Sequence, residues 1–192
     1  MVVGISGSTG VVYGVRLLER LREVEDVETH LVATRTAELT LRLETDRTVE
    51  DVRALADVVH GVRDVGAPIA SGSFRADAML VVPCSIKTLS GIAHSYADNL
   101  LLRAADVMLK ERRPLVLAVR ETPLHLGHIR LLAQAAEIGA VIFPPVPAFY
   151  HRPESLEDVI DQSVGRMLEQ VGIVLPGLPR WEGTRERLGD RE

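Results

Sequence analysis

The run Asp77-Ala78-Met79-Leu80-Val81-Val82 constrains this chain more than any other stretch. After Asp77 it has no polar face, so a strand here needs cover on both sides, as an interior strand of a parallel sheet has. Further short strand signals stand at 2–5, 28–33, 114–119 and 140–143. Between them the spacing turns helical. Val11, Val15, Leu18 and Leu21 share one face of a helix predicted over 10–24. Helices are also predicted over 35–44, 49–59, 98–111, 126–137 and 154–171, and another starts at Pro83-Cys84-Ser85-Ile86-Lys87-Thr88. Glu50 and Asp51 suit the first turn of the 49–59 helix. Residues 61–76 read as loop with a short strand at most. Strands and helices alternating over short connections imply an α/β fold: a Rossmann-like, doubly wound, mostly parallel sheet with helices on both faces. No repeat or linker divides it, so 1–175 is expected to form a single domain and 176–192 a tail.

The 192-residue chain carries a net charge of −5 and no basic block, so it lacks the electrostatic footprint of a nucleic-acid or membrane-surface binder. Cys84 is the only cysteine, which excludes an intrachain disulfide. No basic-then-apolar leader opens the sequence, and its apolar stretches fall short of the roughly 18–20 residues a membrane span needs. The expected location is the cytoplasm. Lys87 and Lys110 are the only lysines among 22 basic residues.

Ligands of open α/β sheets bind beyond the C-terminal ends of the strands, and here those ends carry hydroxyls and cations. Gly4-Ile5-Ser6-Gly7-Ser8-Thr9-Gly10 is a glycine-and-hydroxyl loop between strand and helix, a form that turns backbone N–H groups toward a phosphate. Ser6 breaks the G-x-G-x-x-G of dinucleotide binders, and the Gly-Lys of a Walker A loop is absent. The loop suits a flavin or another mononucleotide; the alternative is a tight turn with no ligand. Thr34 follows the second strand and reads as a helix N-cap. Ser85, Lys87 and Thr88 put hydroxyls and a positive charge at a helix start, and Arg120-Glu121-Thr122-Pro123 leaves the strand at 114–119. Phe149 and Tyr150 follow the last strand, as core or as the wall of a flat ligand. One cleft lined in this way suits a phosphorylated aromatic cofactor.

Other candidates read more plainly. His125 and His128 lack a third metal ligand at familiar spacing and are expected to pack at a helix start. Glu157, Asp158 and Asp161 hint at an aspartate-rich magnesium-diphosphate motif, but they lie in the first turns of an amphipathic helix, where acids favour the dipole. Cys84 reads as a small buried residue at a strand end rather than a nucleophile.

Three long stretches carry a resemblance: "GISGSTGVVYGVRLLERL", the run from "ASGSFRADAMLVVPCSIKT" through "RETPLHLGHIRLL", and "AEIGAVIFPPVPAFYHRPESLEDVID". With them the chain resembles the UbiX-type flavin prenyltransferases over roughly residues 2–182. The resemblance implies an enzyme that binds FMN and, once it is reduced, joins a dimethylallyl group from dimethylallyl monophosphate to flavin N5 and C6. It implies no metal, a dodecamer with sites between subunits, and delivery of prenylated FMN to a UbiD-type decarboxylase, including one in ubiquinone synthesis. Gly7, Ser8, Thr9, Thr34, Ser85, Ile86, Lys87, Thr88 and Arg120 match the family's FMN-binding positions. Tyr150 and Arg166 match those that hold the prenyl phosphate, and Arg103, Lys110 and Glu121 fall around it. Glu44 matches a carboxylate linked to proton handling near N5, and Thr9 stands where serine is usual.

Two rival readings remain at this stage. A flavin-dependent cysteine decarboxylase of the wider superfamily would carry a "PASANT"-like segment where this chain has "PCSIKT". A non-catalytic FMN carrier would need no second phosphate site.

Overall fold

The computed structural model describes residues 1–181 and 183. Six strands form one sheet: β1 (Val2–Ile5), β2 (His30–Ala33), β3 (Val58–His60), β4 (Met79–Cys84), β5 (Leu115–Val119) and β6 (Val141–Ile142). Their order is β3-β2-β1-β4-β5-β6, and every neighbouring pair is parallel. The helices are α1 (Val11–Leu21), α2 (Arg35–Glu44), α3 (Val49–Arg53), α4 (Ile86–Ala93), α5 (Leu100–Lys110), α6 (Leu126–Glu137) and α7 (Leu156–Glu169). None of the described helices is long and apolar enough to cross a membrane.

β1, β4 and β5 are buried along their whole length. Alternate side chains of β4 feed two separate cores, as a two-residue period requires. Met79 and Val81 join Leu89, Leu100, Leu101, Met108 and Ala135 beneath α4, α5 and α6. Leu80 and Val82 join Val15, Leu18, Val164 and Leu168 beneath α1 and α7. The doubly buried strand expected from the sequence therefore sits in the middle of the sheet. This strand order reverses direction between β1 and β4, so the ligand crevice lies beyond the ends of those two strands.

The predicted helix over 49–59 is a correction. α3 stops at Arg53, and Val58–His60 form the edge strand β3 beside β2. Val49, Val52, Ala56 and Val59 keep helical spacing, which is why the segment reads as one helix. Two forces favour the strand. Val58 and Val59 are β-branched. In addition the Thr29 amide and hydroxyl both donate to Asp57 Oδ2, at 2.7 and 2.8 Å, while the Asp57 amide donates to Thr29 Oγ1 at 3.0 Å. This clasp turns the chain into register with β2.

α1 lies close over the sheet because Gly14 has no side chain. A Cβ there would stand 2.3 Å from the Val82 carbonyl oxygen, which belongs to buried backbone and has little room to retreat. Gly14→Ala is expected to lower the unfolding free energy by about 1–3 kcal/mol, the usual cost of overpacking. Urea titration followed by circular dichroism checks this; a variant as stable as the parent would mean that α1 does not press on β4.

Candidate active site

The loops after β1 and β4 are fastened to each other. Ser6 is 1% exposed. Its hydroxyl donates to the Pro83 carbonyl at 3.0 Å and accepts from the Ser85 amide at 2.8 Å, and its own amide donates to the Pro83 carbonyl at 3.2 Å. Beyond this staple the first loop turns sharply. Gly10 has φ of 91°, in the left-handed region that favours glycine. Gly7 lies against Thr36, where a Cβ would approach within 2.3 Å.

Three helix N-termini meet the edge formed by β2, β1 and β4. α2 is capped by Thr34 Oγ1, which accepts from the Ala37 amide at 3.1 Å. In α4 the cap is Ser85 Oγ, which accepts from the Thr88 amide at 3.3 Å and donates to Thr88 Oγ1 at 3.1 Å. α1 has no side-chain cap of its own. Glu44, at the far end of α2, serves instead: its Oε2 accepts from the amides of Gly10 and Val11 at 2.8 and 3.1 Å. A carboxylate thus stands one residue from Thr9, whose side chain is exposed at the loop tip. Between these positive helix ends lies the hydroxyl of Ser8, buried and without a hydrogen-bond partner. A buried hydroxyl left unpaired costs about 1–3 kcal/mol unless a ligand satisfies it, so the crevice fits an oxygen-rich anionic group such as a flavin phosphate or ribityl chain.

The remaining residues expected around the cofactor frame the same edge. Ile86 is the first residue of α4, Thr88 is buried below it, and Lys87 is exposed. The Arg120 amide donates to the Cys84 carbonyl at 3.2 Å, which brings the end of β5 beside Ser85. Glu121 is exposed, and its carboxylate accepts from the Thr122 amide at 2.9 Å. Tyr13, on α1, faces both Arg120 and Ser163 of α7. Burial pushes its phenol above the ordinary range, opposed by the Ser163 hydrogen bond and the Arg120 charge.

Past Ser163 a second pocket, of about 540 Å³, opens among Phe143, Tyr150, Gln162, Arg166, Arg180 and Trp181. Arg166 and Arg180 both pair with Glu169, which leaves one net positive charge. Tyr150 and Trp181 meet edge to face, with ring centroids 5.9 Å apart. The residues 176–181 lie along α7: Leu178 fills the space over Gly165, and Arg180 and Trp181 close the pocket. A hydroxyl, guanidinium groups and an aromatic wall suit a small anion with an apolar body. Gln162, Arg180 and Trp181 escaped sequence reasoning. Only a glutamine bordering the buried stripe Ile160, Val164, Met167 and Leu168 offered a signal.

Arg103 and Lys110 do not join this pocket within one chain. Arg103, on α5 across the sheet, donates to the Ala70 carbonyl at 3.0 Å and to Asp106 at 2.6 Å. Lys110 pairs with Glu111 and lies against Gly72, where the chain enters β4 and β5. The histidines sit at a helix start: His125 caps α6 by accepting from the Gly127 amide at 3.0 Å, and the His128 ring lies against it, tilted by 36° with ring centroids 3.6 Å apart. Among the described residues, no three His, Cys, Asp or Glu side chains are grouped to hold a metal ion. Asp158 caps α7 with Ser155, and Asp161 pairs with Arg20 at 2.8 Å.

Comparison with known proteins fits this edge to a family. The Flavoprotein family model matches residues 1–174. The flavin prenyltransferase UbiX of Escherichia coli K12 is 65% identical over 186 residues, which cover 96% of this chain and 98% of that protein. This chain belongs to the UbiX flavin prenyltransferases. A crystal structure of AnUbiX (PadA1) in complex with FMN and dimethylallyl pyrophosphate superposes with a TM-score of 0.93 at 54% identity, over 95% of this chain and 97% of that one. A dodecameric FMN-dependent UbiX-like decarboxylase from Escherichia coli O157:H7 also superposes with a TM-score of 0.93, at 49% identity over 95% and 98% of the two chains. Membership in the UbiX family sets aside the cysteine decarboxylase reading.

Cys84 ends β4 with no solvent exposure, and burial pushes its thiol well above the ordinary range. A thiol so placed has almost no thiolate at neutral pH. The native protein is therefore expected to react with a disulfide reagent at pH 8 far more slowly than the urea-unfolded chain. Equal rates would contradict its enclosure.

Proposed function

We propose that this flavin prenyltransferase takes its prenyl group from dimethylallyl monophosphate and that Gly7, Ser8, Thr9, Thr34, Ser85, Ile86, Lys87, Thr88 and Arg120 hold FMN in the β1/β4 crevice. The observation that carries the reading is the pairing of two anion-fitted sites on one sheet edge, the crevice around Ser8 and the pocket around Tyr150 and Arg166, with Tyr13, Arg120 and Ser163 between them. A flavin carrier needs only the first.

Reduced FMN supplies the nucleophilic N5 and C6 to which the prenyl carbons bond. The protein's part is electrostatic. As the carbon–oxygen bond of the donor breaks, negative charge grows on the leaving phosphate, so cations aimed there stabilise the transition state more than the ground state. Arg166 and Tyr150 supply charge-assisted hydrogen bonds to it. A monophosphate carries less charge than a diphosphate, so side-chain cations stand in the place a divalent ion takes beside a diphosphate. Glu44, held by the Gly10 and Val11 amides, and the Thr9 hydroxyl are assigned the proton transfer at N5. Glu121 leaves β5 next to Arg120 and is assigned to the phosphate side.

Arg103 and Lys110 complete the phosphate site from another copy of the chain, in a homo-oligomer such as a dodecamer. A native mass near 21.0 kDa would overturn that assignment. The product is passed to a UbiD-type decarboxylase, and the setting is cytoplasmic.

The reaction is tested anaerobically with reduced FMN and dimethylallyl monophosphate, followed by mass spectrometry of the extracted flavin. A gain of one five-carbon prenyl unit is expected; bound but unmodified flavin would favour the carrier. Arg166→Ala is expected to lower kcat/KM for the donor by roughly 10- to 100-fold, the loss of one charge-assisted hydrogen bond, while FMN affinity measured by fluorescence titration stays unchanged.

A further inference from the structure

The side chain of Gln162 is an anomaly on α7. It is 5% exposed and shares its helix with the buried residues Ile160, Val164, Met167 and Leu168, where an aliphatic residue would pack without polar cost. Its amide nitrogen donates to Tyr150 Oη at 3.1 Å. It also stands in the wall between two pockets, since it lines both the Tyr150–Arg166 pocket and the neighbouring one beneath residues 175–179.

A phenol has one proton to give and lone pairs to receive. With an amide N–H already on its oxygen, Tyr150 is left as a donor. In the structure that proton reaches toward the Pro179 carbonyl at 3.5 Å, the long limit of a hydrogen bond. A phosphate oxygen is a far stronger acceptor, and a hydrogen bond received by the phenol strengthens the one it gives.

We propose that Gln162 is a positioning residue: by donating to Tyr150 Oη it fixes the tyrosine hydroxyl as a hydrogen-bond donor to the departing phosphate of the prenyl donor. This rests on Tyr150 being a phosphate ligand, as proposed above. The role assigned to Gln162 is exerted through the polarity of that one hydrogen bond.

Two substitutions separate that role from packing. Gln162→Met keeps the volume and removes the donor. Gln162→Glu keeps the shape but replaces the donor with a carboxylate, which takes the Tyr150 proton for itself. Steady-state kinetics with dimethylallyl monophosphate at pH 8 are expected to give Gln162→Met a kcat/KM lower by roughly three- to tenfold, the range for one net hydrogen bond. Gln162→Glu is expected to fall further, and to recover as the pH is lowered and a protonated carboxyl can donate again. FMN affinity stays at the parental value in both. In a Tyr150→Phe background neither substitution has any further effect, because the group they orient is gone.

The proposal is overturned if Gln162→Met matches the parent, if Gln162→Glu outperforms Gln162→Met at pH 8, or if either loses the same factor without the Tyr150 hydroxyl. A parental kcat/KM in Tyr150→Phe alone would overturn the phosphate role of Tyr150 itself and the role of Gln162 with it. That outcome is read from the single Tyr150 variant, so the two failures are told apart.

Discussion

The hydroxyl of Ser6 holds together the two loops on which the site depends. β1 and β4 are neighbours, but the chain leaves them for opposite halves of the sheet, and nothing in a parallel ladder joins the loops beyond its last rung. Ser6 does so by giving its proton to the Pro83 carbonyl and taking one from the Ser85 amide. Pro83 has no amide proton, and β4 and β5 slip register between Val81 and Cys84, so the ladder itself is weak where the staple acts. A glycine at position 6, as a dinucleotide fingerprint would ask, has no hydroxyl to do this. The serine that makes the loop look irregular as a motif is the residue that makes it rigid as a structure.

From that fixed point the electrostatics follow. The first amides of α1, α2 and α4 leave partial positive charge at one edge, and the chain satisfies some of them itself through Thr34, Ser85 and Glu44. Glu44 is the telling choice. A short cap such as serine would have served α1 locally, whereas a carboxylate reaching from the end of α2 caps the helix and leaves an ionisable group at the lip of the crevice. On the proposed mechanism, one side chain carries a structural and a chemical task. The second pocket is poised differently, by two guanidinium groups sharing Glu169. Neutralising half of their charge lets the pocket exist without a ligand while keeping an attraction for one anion.

The sequence made the sheet legible because its signals are local. An apolar run without a polar face, β–α alternation and glycine-hydroxyl loops each depend on neighbouring residues. It failed at β3, where helical spacing in Val49, Val52, Ala56 and Val59 outweighed the strand, because the deciding clasp of Thr29 and Asp57 joins residues 28 positions apart. The crevice residues were readable since each follows its own strand. Thr34 and Ser85 also proved to be N-caps, a structural duty the sequence suggested for Thr34. The second pocket was half readable. Tyr150 was read as core or ligand wall and Arg166 came from the resemblance, whereas Arg180 and Trp181 enter it only because residues 176–181 fold back on α7, a contact without local periodicity. The stretch beyond, apart from Gly183, lies outside the described residues.

Arg103 and Lys110 can serve another copy only through unlike surfaces. Tyr150 and Arg166 lie on the α7 side of the sheet beyond its C-terminal edge, while Arg103 stands on the α5 side and Lys110 near the start of β4 and β5. A two-fold contact would pair Lys110 with Arg166 only if one patch held both, and they lie on opposite sides of the sheet. The proposed site therefore calls for a head-to-tail contact, and such contacts generate either closed rings or open filaments. Ring closure gives every pocket its missing cations, whereas a filament leaves one end unfinished. The exposed apolar residues point the same way. Leu126 and Ile129 stand uncovered on α6, flanked by exposed Leu124 and Ile138, with Leu39 and Leu43 on α2. These helices lie on opposite faces of the sheet, so covering both takes more than one kind of contact. On the proposed assignment, a closed assembly of several copies would cover the apolar faces and complete the phosphate site at once.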